Sequence, residues 1–323
     1  MTPEEVLAWE AAHRQRAGIA AFAAAVLTIA GVLLTTVGQP GAKEFDDRIV
    51  TVVDAMGRAA AGEPIPPGRI SAFAVDVGQH PIAPITGAIL YGLGSLAIYF
   101  AMAYLFRATR ARKPGMPQIA LVMAAIGAVG FGVGRAVAEV ARYLGARDFV
   151  DAVDKTNSAA TDALSPTATL VGQLIWETSA LALGFAVAII SLNAMRVGLL
   201  SRFMGVLGVI VGVAVAPILP IDQQGIIRVL WLVALGMLFL DRWPSGMPKA
   251  WVTGEAEPWP TQQQLREQRA AARDQRDPRP PRSNGRSAPP TPPPAAPSPR
   301  RPDPAAAGTE HSASKKKKRK RRS

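Results

Sequence analysis

The chain has 323 residues, 49% of them hydrophobic and 6% aromatic, with a formal net charge of +12 and no cysteine. The missing thiol excludes disulfides, thiolate nucleophiles and thiolate metal sites, and three dispersed histidines (His13, His80, His311) argue against a histidine-based metal or acid–base centre. The charge is lopsided: residues 243–323 hold 18 Lys/Arg against 7 Asp/Glu, together with 16 of the 28 prolines, so the basicity belongs to a tail rather than to a fold.

The first 16 residues open with Thr2-Pro3-Glu4-Glu5, a capping residue followed by proline and early acids, which starts a helix. Residues 1–16 read as a cytoplasmic lead-in to the first span. That span covers residues 17–38 without a charge, and about 20 apolar residues suffice to cross a bilayer. It is too long for a secretory h-region and no small-residue cleavage site follows, so it reads as a retained anchor.

Residues 39–84 form a polar loop. Within it Phe45, Ile49, Val52, Val53, Met56 and Ala60 recur at helical spacing, as in an amphipathic helix lying against a membrane. Pro64-Ile65-Pro66-Pro67-Gly68 then marks a turn, and residues 70–77 alternate weakly, as a short extended piece would. The second span is 85–106, followed at once by Arg107, Arg110, Arg112 and Lys113. The third is 118–140. Its Gly130 and Gly134 form a GxxxG, with Ala124 and Ala128 at the same spacing, which lets helix backbones approach closely in lipid. No GK[ST] follows these glycines, so they are not a phosphate loop. Arg135, Glu139 and Arg142 share one face at its far end.

Residues 147–167 read as a second polar loop. The fourth span, 168–192, carries Glu177 near its middle, where a charge costs about 2.5–3.5 kcal/mol on insertion scales. The fifth and sixth spans are 203–219 and 226–240, the latter with Arg228 near its start. Basic residues collect in 1–16, 107–113, 196–202 and beyond 242, which by the positive-inside rule places both termini in the cytoplasm. The expected architecture is an all-α integral membrane protein, a six-transmembrane-helix bundle over 17–241. The residue usage is of the kind seen in high-GC bacteria, and the expected location is a bacterial plasma membrane.

The tail, 242–323, is Pro-, Ala-, Ser- and Arg-rich and expected to be disordered beyond a short charged helix at 261–276. It ends in Lys315, Lys316, Lys317, Lys318, Arg319, Lys320, Arg321 and Arg322. This run is open to three readings: a solvated charge run that reinforces topology, contact with anionic lipid, or salt-sensitive contact with nucleic acid. The last is the least expected in a membrane protein.

Counted from the outer end of each span at 1.5 Å per residue, Glu177 lies roughly 12–14 Å deep, Arg135 roughly 7–8 Å and Arg228 about 3–5 Å. Gln173 stands one turn above Glu177 on the same face. Intramembrane ionisable groups pair or line a cavity, so an intramembrane polar cluster of Glu177, Gln173, Arg135, Glu139 and Arg228 is expected. Either arginine could pair with the carboxylate. The cluster serves as internal glue or as a site for a small solute.

LNAMRVGLLSRFMGVLGVIVG, residues 192–212, resembles a pattern in uncharacterised polytopic membrane proteins of actinobacteria, in which a span ends, an R-x-G-L-L-x-R turn follows and a glycine-rich span begins. The resemblance covers about 20 residues and implies membrane class without an activity. Two functions stay open: a non-enzymatic scaffold or envelope-associated component, or a small-solute transporter or permease subunit built around Glu177. An intramembrane enzyme ranks below both, since no nucleophile–base set, metal-ligand spacing or cofactor motif stands out. No cofactor or metal is expected. The expected partners are the bilayer, anionic lipids at the tail, and a second copy or another membrane protein.

Overall fold

The computed structural model describes residues 2–37, 52–63, 68–215, 225–244, 246–260 and 262–276. Among these the chain is all-helical, without a strand, and contains four long apolar helices and two shorter ones. The helices are α1 (Pro3–Val37), α2 (Val52–Ala60), α3 (Arg69–Gln79), α4 (Ile82–Arg112), α5 (Ile119–Asp151), α6 (Asn157–Leu164), α7 (Thr167–Arg196), α8 (Arg202–Val215), α9 (Ile226–Phe239), α10 (Ala250–Thr253) and α11 (Gln262–Arg276).

The ends of these helices follow local chemistry. Thr2 and Glu5 form a reciprocal capping box: the Thr2 N–H donates to Glu5 Oε2 (2.9 Å) and the Glu5 N–H to Thr2 Oγ1 (3.3 Å). Thr156 caps α6 through its hydroxyl, which accepts from the Ala159 N–H. Its own N–H donates to Asp154 Oδ1, which holds that carboxyl below its ordinary range. Gly225 and Gly198 take positive φ (71° and 82°) at the start of α9 and in the turn after α7.

α1, α4, α5 and α7 have 30–35 residues, about 45–52 Å of helix and enough to cross a bilayer. α8 and α9 have 14 each, about 21 Å. Within the compact unit Met1–Leu265 the six pack in the order α1, α4, α5, α7, α8, α9, and α9 returns to α1, closing a ring that α4 and α7 also bridge.

Glycines set how closely neighbours approach. A Cβ on Gly127 would stand 2.5 Å from the Leu183 N, and one on Gly172 would stand 2.5 Å from the Ala138 N; Gly134 meets the Trp176 backbone as closely. Gly132 of α5 packs on Gly92 of α4, Gly31 of α1 on Gly87 of α4, Gly212 of α8 on Gly184 of α7, and Gly236 of α9 on the Phe22 ring of α1. The core of the ring is correspondingly rich in alanine, around Phe106, Met102, Leu183, Trp231 and Phe239.

Several sequence expectations are corrected. Residues 70–77 are not extended but lie in α3, because Ala74 packs a helical face on Phe149 and Ala160. The loop expected at 147–167 is mostly helix: α5 continues to Asp151, and α6 follows after five residues. The tail does not begin at Arg242. Residues 246–260 form a strap that packs on the bundle, with Ala250 and Trp251 buried. The expected charged helix at 261–276 is α11. The ends of the first span (Gly38) and fifth span (216–219), most of the amphipathic segment before Val52, and the basic run 315–322 lie outside the described residues.

Candidate functional site

Glu177 projects from α7 with Gln173 one turn earlier, and Gln173 Nε2 donates to Glu177 Oε1 at 2.9 Å. Glu177 is half-buried and Gln173 exposed. Among the described residues neither Arg135 nor Arg228 forms an ion pair with Glu177, so the expected five-residue cluster is not one group. Helix rotation is the reason. Gly172, Trp176, Ser179 and Leu183 are the α7 positions that meet the glycines of α5. Gln173 and Glu177 stand one residue further round, about 100° away, beside the exposed Leu170 and Leu174.

Arg135 is taken by its own helix. Its Nη2 lies 3.1 Å from Glu139 Oε1, and Arg142 Nη1 reaches Glu139 Oε2 at 2.9 Å. Glu139 is 7% exposed and collects both cations. The remaining face of the Arg135 guanidinium lies 4.9 Å from the Trp176 ring centroid, a cation–π contact between α5 and α7. Arg228 is 5% exposed; its Nη2 donates to the Tyr91 hydroxyl oxygen at 2.6 Å, and its guanidinium lies 5.3 Å from that ring. Tyr91 stacks on Phe131 (5.4 Å), and Phe131 meets Trp176 edge-on (6.0 Å, 77°). The two arginines are therefore joined through Tyr91, Phe131 and Trp176, an aromatic bridge across four helices.

A second, more deeply buried group sits at the other end of the ring, where no site was expected. Arg112 of α4 and Glu10 of α1 form a bidentate ion pair with side chains 0% and 4% exposed; the second contact, Nη2 to Oε2, is 3.2 Å. Arg112 Nη2 also donates to the Ala250 carbonyl (2.6 Å), and the guanidinium lies 5.7 Å from the Trp251 ring. Tyr104 is sandwiched between Trp9 (5.5 Å) and Trp251 (5.9 Å). Arg14 Nε donates to the Phe239 carbonyl (2.6 Å), and Lys113 Nζ donates to Asn193 Oδ1 (2.8 Å). These contacts tie α1, α4, α7, α9 and the strap together.

A periodic signal for this group exists. Val6, Glu10, Ala17, Ala21, Ala24 and Thr28 are all buried at helical spacing, so the small-residue stripe of α1 extends back to Glu10. On α4, Ala101, Leu105 and Ala108 lead to Arg112 in the same way.

The turn that carries the resemblance, Arg196-Val197-Gly198-Leu199-Leu200-Ser201-Arg202, is the socket for the strap. The Glu257 N–H donates to the Val197 carbonyl (3.0 Å), the Trp251 indole to Leu199 (2.8 Å) and the Trp259 indole to Leu200 (2.8 Å). Arg202 donates to the Pro260 carbonyl. A Cβ on Gly198 would collide with Glu257, so glycine is required there by space as well as by φ.

Among the described residues, no three His, Cys, Asp or Glu stand close enough to hold a metal ion. Comparison with known protein families, curated proteins and solved structures finds no match to this chain.

Proposed function

We propose that the chain is a multi-pass protein of a bacterial plasma membrane, with six spans and both termini cytoplasmic, that acts as a non-enzymatic scaffold or envelope-associated component. The observation that carries this reading is the outward surface of the helices. On α5, Ile119, Val122, Ile126, Val129, Val133, Val137, Val140 and Leu144 are 38–63% exposed at helical spacing, and Ile19, Val26, Ile29 and Leu33 form a matching stripe on α1. A continuous exposed apolar stripe of this kind marks a surface covered in place by something other than water, and lipid is the solvent it suits. The scaffold reading is supported by how the charges are used. Glu139 holds two arginines and Glu10 holds Arg112, so these groups serve packing. The tail's basic run would add anionic lipid contact.

A second reading, a small-solute transporter or permease subunit, is favoured by one observation. The Glu177 carboxylate has Gln173 but no cation among the described residues, and the buried Trp176 indole N–H beside it has no acceptor there. Single cysteines on this cysteine-free chain test both readings. With intact cells, a membrane-impermeant maleimide is expected to label Val153→Cys and spare Gly115→Cys. The opposite pattern, or labelling of both, overturns the topology. Labelling of Glu177→Cys from water favours the transporter, and protection favours the scaffold.

A further inference from the structure

A cleft of about 520 Å³ opens between α1 and α4 near the Glu10–Arg112 pair. Its rim and its floor differ in chemistry. The rim carries Arg16, Arg107, His13 and the exposed ring of Phe100; the half-buried Ala20, Ala97 and Ala103 line the floor over the buried Ala17. Arg16 and Arg107 are exposed, and among the described residues neither has a hydrogen bond or ion pair. The neighbouring cations do: Arg14 has Asp241 at 3.4 Å, and Arg112 has Glu10. Asp241 and Glu10 are thus engaged by other cations, and the cleft keeps a positive rim. His13 Nδ1 donates to the Trp9 carbonyl at 2.8 Å, which fixes the ring at the edge of the cleft.

The floor runs from Arg107 back to Ala97, ten residues or about 15 Å along α4. Small side chains keep it open as a furrow, whereas an aqueous phosphate site would be lined by donors. Trp9 and Tyr99 flank it, as amphipathic rings do at the level of lipid head groups. Basic pockets between helices on the cytoplasmic side suit anionic head groups.

We propose that this cleft binds one anionic glycerophospholipid. Its phosphate lies between Arg16 and Arg107, and one acyl chain lies in the alanine furrow. The inference rests on the membrane reading above and is separate from the basic run at 315–322.

The test uses the full chain in nanodiscs of equimolar phosphatidylglycerol and phosphatidylcholine, with retained lipid read by native mass spectrometry. One phosphatidylglycerol is expected to stay bound. Arg16→Gln/Arg107→Gln should weaken its retention roughly 30-fold, at about fivefold per cation near a lipid surface. Ala103→Phe, which fills the furrow and keeps every charge, should displace it as well. A chain with residues 315–322 all changed to Gln should keep it. Equal retention in the arginine double and the parent, or equal retention of phosphatidylcholine, overturns the proposal. So does loss only in the tail variant, or full displacement by glycerol 3-phosphate. Alkaline carbonate extraction separates the two levels: release from membranes sinks the membrane reading itself, whereas a retained protein without lipid selectivity sinks this site alone.

Discussion

Glu10 and Arg112 sit where water cannot reach either side chain. A buried pair of this kind recovers the cost of leaving water only through close geometry and further hydrogen bonds, here those to the Ala250 and Ala108 carbonyls. Breaking one side leaves the other charge buried alone. Glu10→Gln or Arg112→Met is therefore expected to cost about 3–5 kcal/mol in detergent unfolding. The double Glu10→Leu/Arg112→Met should recover most of this, short of about 1 kcal/mol for the Ala250 carbonyl that loses its donor. Additive losses in the double would refute the pairing. Glu177 is a different case, since its one described partner is the neutral Gln173 amide. The charge was visible in the sequence as a carboxylate within an apolar run. Its lack of an arginine was not, because the outcome turns on 100° of helix rotation per residue. Glu10 and Arg112 carry only the weaker signal of the small-residue stripes that lead to them, because a charge at the polar end of a span is ordinarily solvated.

At the level of elements, the glycine seam between α5 and α7 decides how close two long helices come. Gly172→Ala places a methyl 2.5 Å from the Ala138 N and 2.9 Å from the Gly134 carbonyl. Neither is the end of a flexible side chain, so the helices must part, at about 1–3 kcal/mol. Gly57→Ala, with nothing within 4 Å of the new methyl, should instead gain up to about 1 kcal/mol from helix propensity. Thermal unfolding of the two variants side by side checks this, and a neutral Gly172→Ala would mean that the seam is loose. Long apolar windows made the four long helices legible, and the GxxxG at Gly130 and Gly134 pointed to close contact. The helical extension of α5 to Asp151 was not legible, because its last turns are polar and earn their helix from contacts with α3 and α6.

Over the whole molecule, the ring closes only when its last helix and the strap return to its first. Gly254 packs on the Pro3 carbonyl, and Leu240 covers Gly18. No local pattern announces such closure, because the strap reads as a polar, proline-bearing tail until its two tryptophans find the carbonyls of the 197–200 turn. Trp251, 8% exposed, anchors it. Trp251→Ala is expected to cost about 3–5 kcal/mol, whereas a chain ending at Pro260 should unfold within about 0.5 kcal/mol of the parent. Equal losses in both would place the anchor elsewhere.

The position of Glu10 also sets a schedule. Its partner Arg112 follows 102 residues later, and the Ala250 carbonyl that completes the group follows Arg112 by another 138. At roughly 5–20 residues per second, the first helix waits some 5–20 s for Arg112 and roughly 7–28 s more for the last contact. Throughout that wait the carboxylate beside Trp9 must be kept hydrated or held by something other than its own chain. The amino-terminal turns of α1 thus complete their packing only after the strap has been made.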